Sequence, residues 1–249
     1  MPRYFLELSY NGKQYHGWQK QPNAISVQAV IENALTTLLR NPVEIVGAGR
    51  TDAGVHARQM YAHFDISKTV ALSELKHRLN AFLPRDISIH RISNVIETAH
   101  ARFEAISRTY EYWIIDRKNP FLTDYAYLVH QELDLDKMNE AAQLFFDYSD
   151  FQSFSKSNTD VKTYNCEIMQ AFWKTDDEKL TFTVQADRFL RNMVRAMVGT
   201  LLAVGKGQIS KEDVKKIIES KNRSKAGVSV PAHALYLTKV EYPDHIFKL

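Results

Sequence analysis

Polar and apolar positions follow two periods along this chain, and the places where one period gives way to the other mark its elements. Tyr4–Tyr10 has strand composition and runs into the turn pair Asn11-Gly12. Ser26 then stands where a helix cap belongs, ahead of Val27, Val30, Ile31, Ala34, Leu35, Leu38 and Leu39 at helical spacing, and Asn41-Pro42 closes that helix. The apolar run Val43–Val46 leads into a loop. Beyond it Met60, Ala62, Phe64 and Ile66 alternate with Gln59, Tyr61, His63 and Asp65, the pattern of a half-buried strand. Ser73 opens a second helix through Leu75, Leu79 and Phe82, stopped by Pro84, and Ile87–Ile96 returns as a strand. The order is β-α-β-β-α-β.

The second half repeats that order without repeating the sequence. A strand at Ser107–Ile115 precedes a helix on Met138, Ala141, Ala142, Phe145 and Phe146. Strands at Val161–Lys174 and Leu180–Ala186 turn at Asp176-Asp177-Glu178, and a helix carries Leu190, Met193, Val194, Met197, Val198 and Leu201. A short helix capped by Ser210, with Asp213 at its third position, precedes a last strand at Leu235–Tyr242. The pattern predicts an α+β fold of two ferredoxin-like β-α-β-β-α-β halves, residues 1–105 and 106–249, with a mainly antiparallel sheet, helices on one side and a central cleft. With no linker or low-complexity segment near 98–106, one continuous body is expected.

Composition narrows the function classes. A chain of 249 residues buries roughly 70–75% of its unfolded surface without staples. Cys166 is the single cysteine, which removes an internal disulfide framework and a cysteine metal site and suits a reducing cytoplasm. Arg3 and Glu7 interrupt the apolar residues of Met1–Tyr10, so a signal peptide is not expected, and no run is long enough to span a bilayer. The net charge of +3 leaves room for a local basic surface facing a polyanion.

The chemistry concentrates in Gly47-Ala48-Gly49-Arg50-Thr51-Asp52-Ala53-Gly54-Val55-His56-Ala57, which holds three of the nine glycines. That loop presents Asp52 among Arg50, Thr51, His56 and Arg58, either as a polar site or as a solvated turn. Gln14–Pro22, with Trp18 and Gln19, reads as a surface that stacks on bases or as a loop pinned to the core by Trp18. Arg191 and Arg195 flank an apolar helix stripe, where each is solvated or pairs with a carboxylate, and Tyr110 shares a strand face with Tyr112, as core or as a ring for a base. Standard cofactor and hydrolase signatures do not fit. Gly199–Gly207 has the wrong spacing and ending for a P-loop and reads as a helix C-terminus; Gly47-x-Gly49 is not a dinucleotide fingerprint; neither HExxH nor Gly-x-Ser-x-Gly occurs.

Gly49–Ala57 resembles the signature of the tRNA pseudouridine synthase A family, and the likeness runs along nearly the whole chain. It includes Gly17-Trp18-Gln19 with Gln21-Pro22, Val27-Gln28, His63-Phe64-Asp65, Leu79-Asn80, His100-Ala101-Arg102-Phe103 and Ser107-Arg108-Thr109-Tyr110. Asp150-Phe151-x-Ser153-Phe154, Met193-Val194-Arg195 and Leu235-Tyr236-Leu237 complete it. Ala234 departs from the family's glycine, and Lys156–Tyr164 diverges. The resemblance implies a cofactor-free homodimer that converts uridine to pseudouridine at positions 38, 39 and 40 of the tRNA anticodon arm; a cytoplasmic protein with no metal site is what the residues themselves lead one to expect. It implies Asp52 as the catalytic carboxylate, Tyr110 against the target base, Arg195 paired with Asp52 and Arg50 holding the base out of the stem; Arg58, Trp18 and Gln19 are candidate RNA contacts from their residue types and place in the chain. A non-catalytic RNA-binding protein and a carboxylate-dependent nucleoside hydrolase are the competing classes.

Overall fold

A computed structural model describes residues 1–67, 70–157, 161–176 and 178–248. It is a mixed α+β protein with five α-helices among the described residues and a mostly antiparallel strand arrangement. The chain forms two compact units: the first runs to Ser107 and resumes at Leu237, and the second is Arg108–Tyr236.

In the first unit the elements are β1 (Arg3–Tyr10), α1 (Val27–Leu39), β2 (Val46–Gly47), β3 (His56–Asp65), α2 (Leu72–Phe82) and β4 (Ile87–Val95). β1 lies between β4 and β3 and is antiparallel to both, while the two-residue β2 pairs with β3. This central position explains the composition of β1: Tyr4, Phe5, Leu6, Leu8 and Tyr10 are buried, more than a half-buried alternation requires. α1 is capped by Ser26, whose side chain accepts from the Ala29 N–H, and packs Ile31, Ala34 and Leu35 inward. α2 starts at Leu72 rather than Ser73, and Ala71 at its cap offers no side-chain acceptor. Leu79-Asn80 is structural. Leu79 is fully buried, and the Asn80 amide donates to Ile89 O at 2.8 Å and accepts from Ile89 N at 2.7 Å, standing in for a neighbouring strand.

The second unit contains β5 (Ser107–Ile115) from Arg108 onward, the short β6 (Tyr127–Leu128) parallel to it, α3 (Leu135–Gln143), β7 (Ile168–Thr175), β8 (Leu180–Ala186), α4 (Met193–Gly205) and α5 (Lys211–Glu219). β8 pairs antiparallel with β5 and β7. β9 (Leu235–Glu241) divides between the units after Tyr236. Several boundaries differ from the sequence pattern. Phe145 and Phe146 fall in a 3₁₀ turn, Leu144–Asp147, that follows α3. The strand expected over Val161–Lys174 begins only at Ile168, because the chain before it is tied elsewhere: Asn165 bridges Asp150, and Phe151 N–H donates to Tyr164 O. The expected turn residue Asp177, and residues 158–160 of the divergent segment, lie outside the described residues. α5 carries the expected capping box between Ser210 and Asp213, and Gly207 ends α4 in the left-handed conformation at φ +67°. Asp150-Phe151-x-Ser153-Phe154 is core: both phenylalanines are buried, and the Ser153 hydroxyl donates to Ile217 O near the end of α5.

His63 on β3 ties two of the matched motifs together, its Nδ1 accepting from the Ala101 N–H at 3.1 Å. Burial, with help from the Arg3 charge, lowers its pKa from 6.5 to about 4. Folding therefore favours neutral His63, so the stability it contributes is present above pH 6.5 and is lost as pH falls from 6.5 toward 4. Denaturant unfolding across that window should show a loss of about 3 kcal/mol that is absent in His63→Asn, whose side-chain oxygen can still accept from Ala101 without titrating. Equal pH slopes in the two proteins would remove this role.

Candidate active site

The Asp52 loop is built from the first unit outward. β2 enters it, and the Ala48 N–H donates to Tyr61 O at 2.7 Å. Asp52 O accepts from the Val55 N–H at 3.2 Å, closing a turn whose third residue, Gly54, sits at φ +80°, where glycine alone is unstrained. Asp52 itself is half-buried, Thr51 is buried and Arg50 is exposed.

A second segment, Tyr10–Trp18, clamps that loop. The Tyr10 and Thr51 hydroxyls lie 2.8 Å apart, and the Gly12 N–H donates to His56 Nδ1 at 3.0 Å. The Trp18 N–H donates to Thr51 O and the Gly54 N–H to Tyr15 O, each at 3.3 Å. Close approach demands glycine at two places in the clamp: a Cβ at Gly12 would lie 2.0 Å from Val55 O, and one at Gly17 (φ +91°) 2.3 Å from Thr51 O. The clamp is fixed in turn to the start of α1, where the Val27 and Gln28 N–H groups, which have no partner within a helix, donate to Gly17 O and Trp18 O. Gln28 also donates through its side chain to Ile45 O and accepts from the Lys20 N–H, so the Val27-Gln28 motif holds both segments.

The expected RNA contacts separate here. Trp18 is 2% exposed, its ring beside Tyr10 and so close to Gly47 that a Cβ there would collide with it. It packs the loop, and Gln19 beside it is exposed, as is Arg58 on β3.

In the second unit Tyr110 on β5 is half-buried, with its ring edge-on to Phe189 at 5.1 Å. Tyr112, two residues on and on the same face, is fully buried and its hydroxyl donates to Pro231 O at 2.9 Å; burial pushes its pKa well up. The neighbouring carbonyl, Val230 O, accepts from Arg195 Nε at 2.7 Å. One strap, Gly227–Pro231, thus holds both the strand of Tyr110 and the arginine of α4. It lies directly against that helix: a Cβ at Gly199 would come 1.9 Å from Val228 O. Arg195 is in the first turn of α4, but Arg191 precedes the helix, because Asn192 adopts φ +66° and breaks the helical path between them. The four-residue spacing of the two arginines is therefore not a helical pairing. The sequence pattern does not single out Phe189 or the strap; Gly227, in a stretch with no helical or strand period, is a signal for the strap alone.

A family model described as tRNA pseudouridine synthase matches residues 8–104 and 141–243. The chain belongs to the tRNA pseudouridine synthase family. Like the rest of this family it is an isomerase. The chain is 55% identical to the tRNA pseudouridine synthase A of Bacteroides fragilis over 248 residues, covering 99% of this chain and 98% of the relative. It is 53% identical to that of Porphyromonas gingivalis over 251 residues, covering 99% and 100%, and 40% identical to tRNA pseudouridine synthase A 2 of Clostridium perfringens over 239 residues, covering 95% and 98%. Within this pseudouridine synthase, Asp52 and Arg195 fall inside the segments matched by the family model and Tyr110 falls between them.

Proposed function

We propose that this synthase isomerises uridine to pseudouridine in the anticodon arm of tRNA, at positions 38, 39 and 40, as a cytoplasmic homodimer that needs no cofactor. The observation that carries the reading is the intact Gly49–Ala57 signature, hydrogen-bonded to the Tyr10–Trp18 clamp, in a chain alike from end to end to synthases named for tRNA. The reaction breaks the C1′–N1 bond, turns the uracil over and joins C5 to C1′. Nothing is oxidised, reduced or hydrolysed, so a carboxylate and binding groups suffice.

Asp52 is assigned the essential carboxylate, acting on the ribose or the base. Tyr110 contacts the target base, Arg195 favours the charged form of the carboxylate, Arg50 holds the base out of the stem, and Arg58 and Gln19 meet RNA as exposed groups. Trp18 serves by packing the loop. Two ferredoxin-like halves, residues 1–105 and 106–249, underlie the proposal; the order β4-β1-β3-β2 with two helices in the first unit supports it.

Nucleoside analysis of tRNA incubated with the purified enzyme tests the reaction class. Pseudouridine with the uracil retained is expected; free uracil would indicate a hydrolase, and unchanged uridine a binding protein. Tyr110→Phe is expected to lose at least about tenfold in turnover with tRNA affinity kept, because the ring still packs on Phe189 while the hydroxyl can no longer join proton transfer. Full activity in that variant would reduce Tyr110 to a packing residue.

A further inference from the structure

We propose that the Tyr10 and Thr51 hydroxyls act together as a positioning pair that aims the Asp52 carboxylate. The inference rests on Asp52 being the essential carboxylate and adds to it the device that sets its direction. The two oxygens lie 2.8 Å apart with both residues buried, Tyr10 at 4% and Thr51 at 9% exposure. Thr51 is held at a second point, its carbonyl accepting from the Trp18 N–H, and Asp52 O is held by the Val55 N–H. The peptide units on both sides of Asp52 are thereby fixed, with a β-branched residue of restricted χ1 leading into it. Tyr10 reaches this point from the end of β1, where it is paired with β3 through Ala57 and with β4 through Ile87, so the loop is referenced to a strand held on both edges.

The physical consequence follows from the chemistry of a buried threonine. With Tyr10 in place, the Thr51 hydroxyl has a fixed partner outside the loop. Without it, that hydroxyl turns to backbone groups within its own loop, as Ser and Thr side chains do, and the loop gains alternative conformations. A reacting carboxylate displaced by about 1 Å loses on the order of 100-fold in rate without losing the binding energy spread over the rest of the substrate. Tyr10 and Thr51 therefore act on the chemical step and leave tRNA affinity alone.

The test measures single-turnover pseudouridine formation and tRNA affinity in Tyr10→Phe, Thr51→Val, Thr51→Ser and the Tyr10→Phe/Thr51→Val double variant, beside wild type and Asp52→Asn. Tyr10→Phe and Thr51→Val are each expected to slow formation by about 10–100-fold with affinity within about twofold, since each removes one hydroxyl of the pair at nearly constant shape. The double variant should be no slower than the singles by more than about twofold, because one contact cannot be lost twice. Thr51→Ser keeps the hydroxyl and should restore most of the rate. Wild-type rates in both single variants, multiplicative losses in the double, or parallel loss of affinity and rate would overturn the proposal. Should Tyr10→Phe fail to fold, Thr51→Val and Thr51→Ser decide it. If Asp52→Asn instead forms pseudouridine at the wild-type rate, the assignment of Asp52 itself fails, an outcome visible without any Tyr10 variant.

Discussion

Asp52→Asn is expected to abolish pseudouridine formation, by on the order of 10⁴-fold or more, while leaving a folded protein that still binds tRNA. The substitution removes charge and proton-accepting power at nearly constant volume. Folding should survive it, because the substitution leaves in place the fastenings made by the Tyr10, Thr51 and His56 side chains and by the backbone of Trp18, Thr51, Asp52 and Gly54. Binding should survive as well, since contact with a structured RNA is spread over phosphates and shape. A purified Asp52→Asn protein that forms pseudouridine near the wild-type rate would end the assignment, and one that fails to fold would show the carboxylate to be part of the loop's own structure.

Gly17→Ala should produce a large stability loss. A side chain at φ +91° is strained in any surroundings, and this one would place its Cβ 2.3 Å from Thr51 O and 3.1 Å from the Asp52 carbonyl carbon, both backbone atoms that cannot swing aside. Strain and overpacking together cost about 2–5 kcal/mol. Because the clash falls on the peptide of Asp52 itself, turnover should drop further than the folded fraction does. Gly49→Ala is the control: it lies in the same signature, but a Cβ there meets nothing within 4 Å and its φ is outside the left-handed region. Its stability should stay within about 0.5 kcal/mol of wild type. Similar unfolding midpoints for the two variants would show that the clamp tolerates movement.

The elements that could be read from the sequence are those whose causes are local. Ser26 and Ser210 cap helices through atoms three residues away, and β5 was delimited residue for residue by its β-rich run. Where a distant partner decides, the pattern misled. Asn192 breaks the path between Arg191 and Arg195, with its side chain donating to Ser229, and Asn165 is drawn to Asp150 instead of extending β7. The candidate site divides in the same way. Asp52 stands out because glycines and charged groups crowd around it, whereas its support joins Tyr10 to Thr51, Gly12 to His56 and Gly17 to Thr51, contacts spanning roughly forty residues that no period reveals. Trp18 shows the limit from the other side: an aromatic in an amide-rich loop suits a base or a core equally well, and burial against Tyr10 and Gly47 makes it core.

Mapping pseudouridine residue by residue in an unmodified tRNA transcript carrying uridine at 38, 39 and 40, after incubation with wild type and Asp52→Asn in parallel, tests the central claim most directly. Pseudouridine confined to those three positions with wild type, and absent with Asp52→Asn, is the predicted result. Modification outside the anticodon arm, or the same pattern from both proteins, would contradict it.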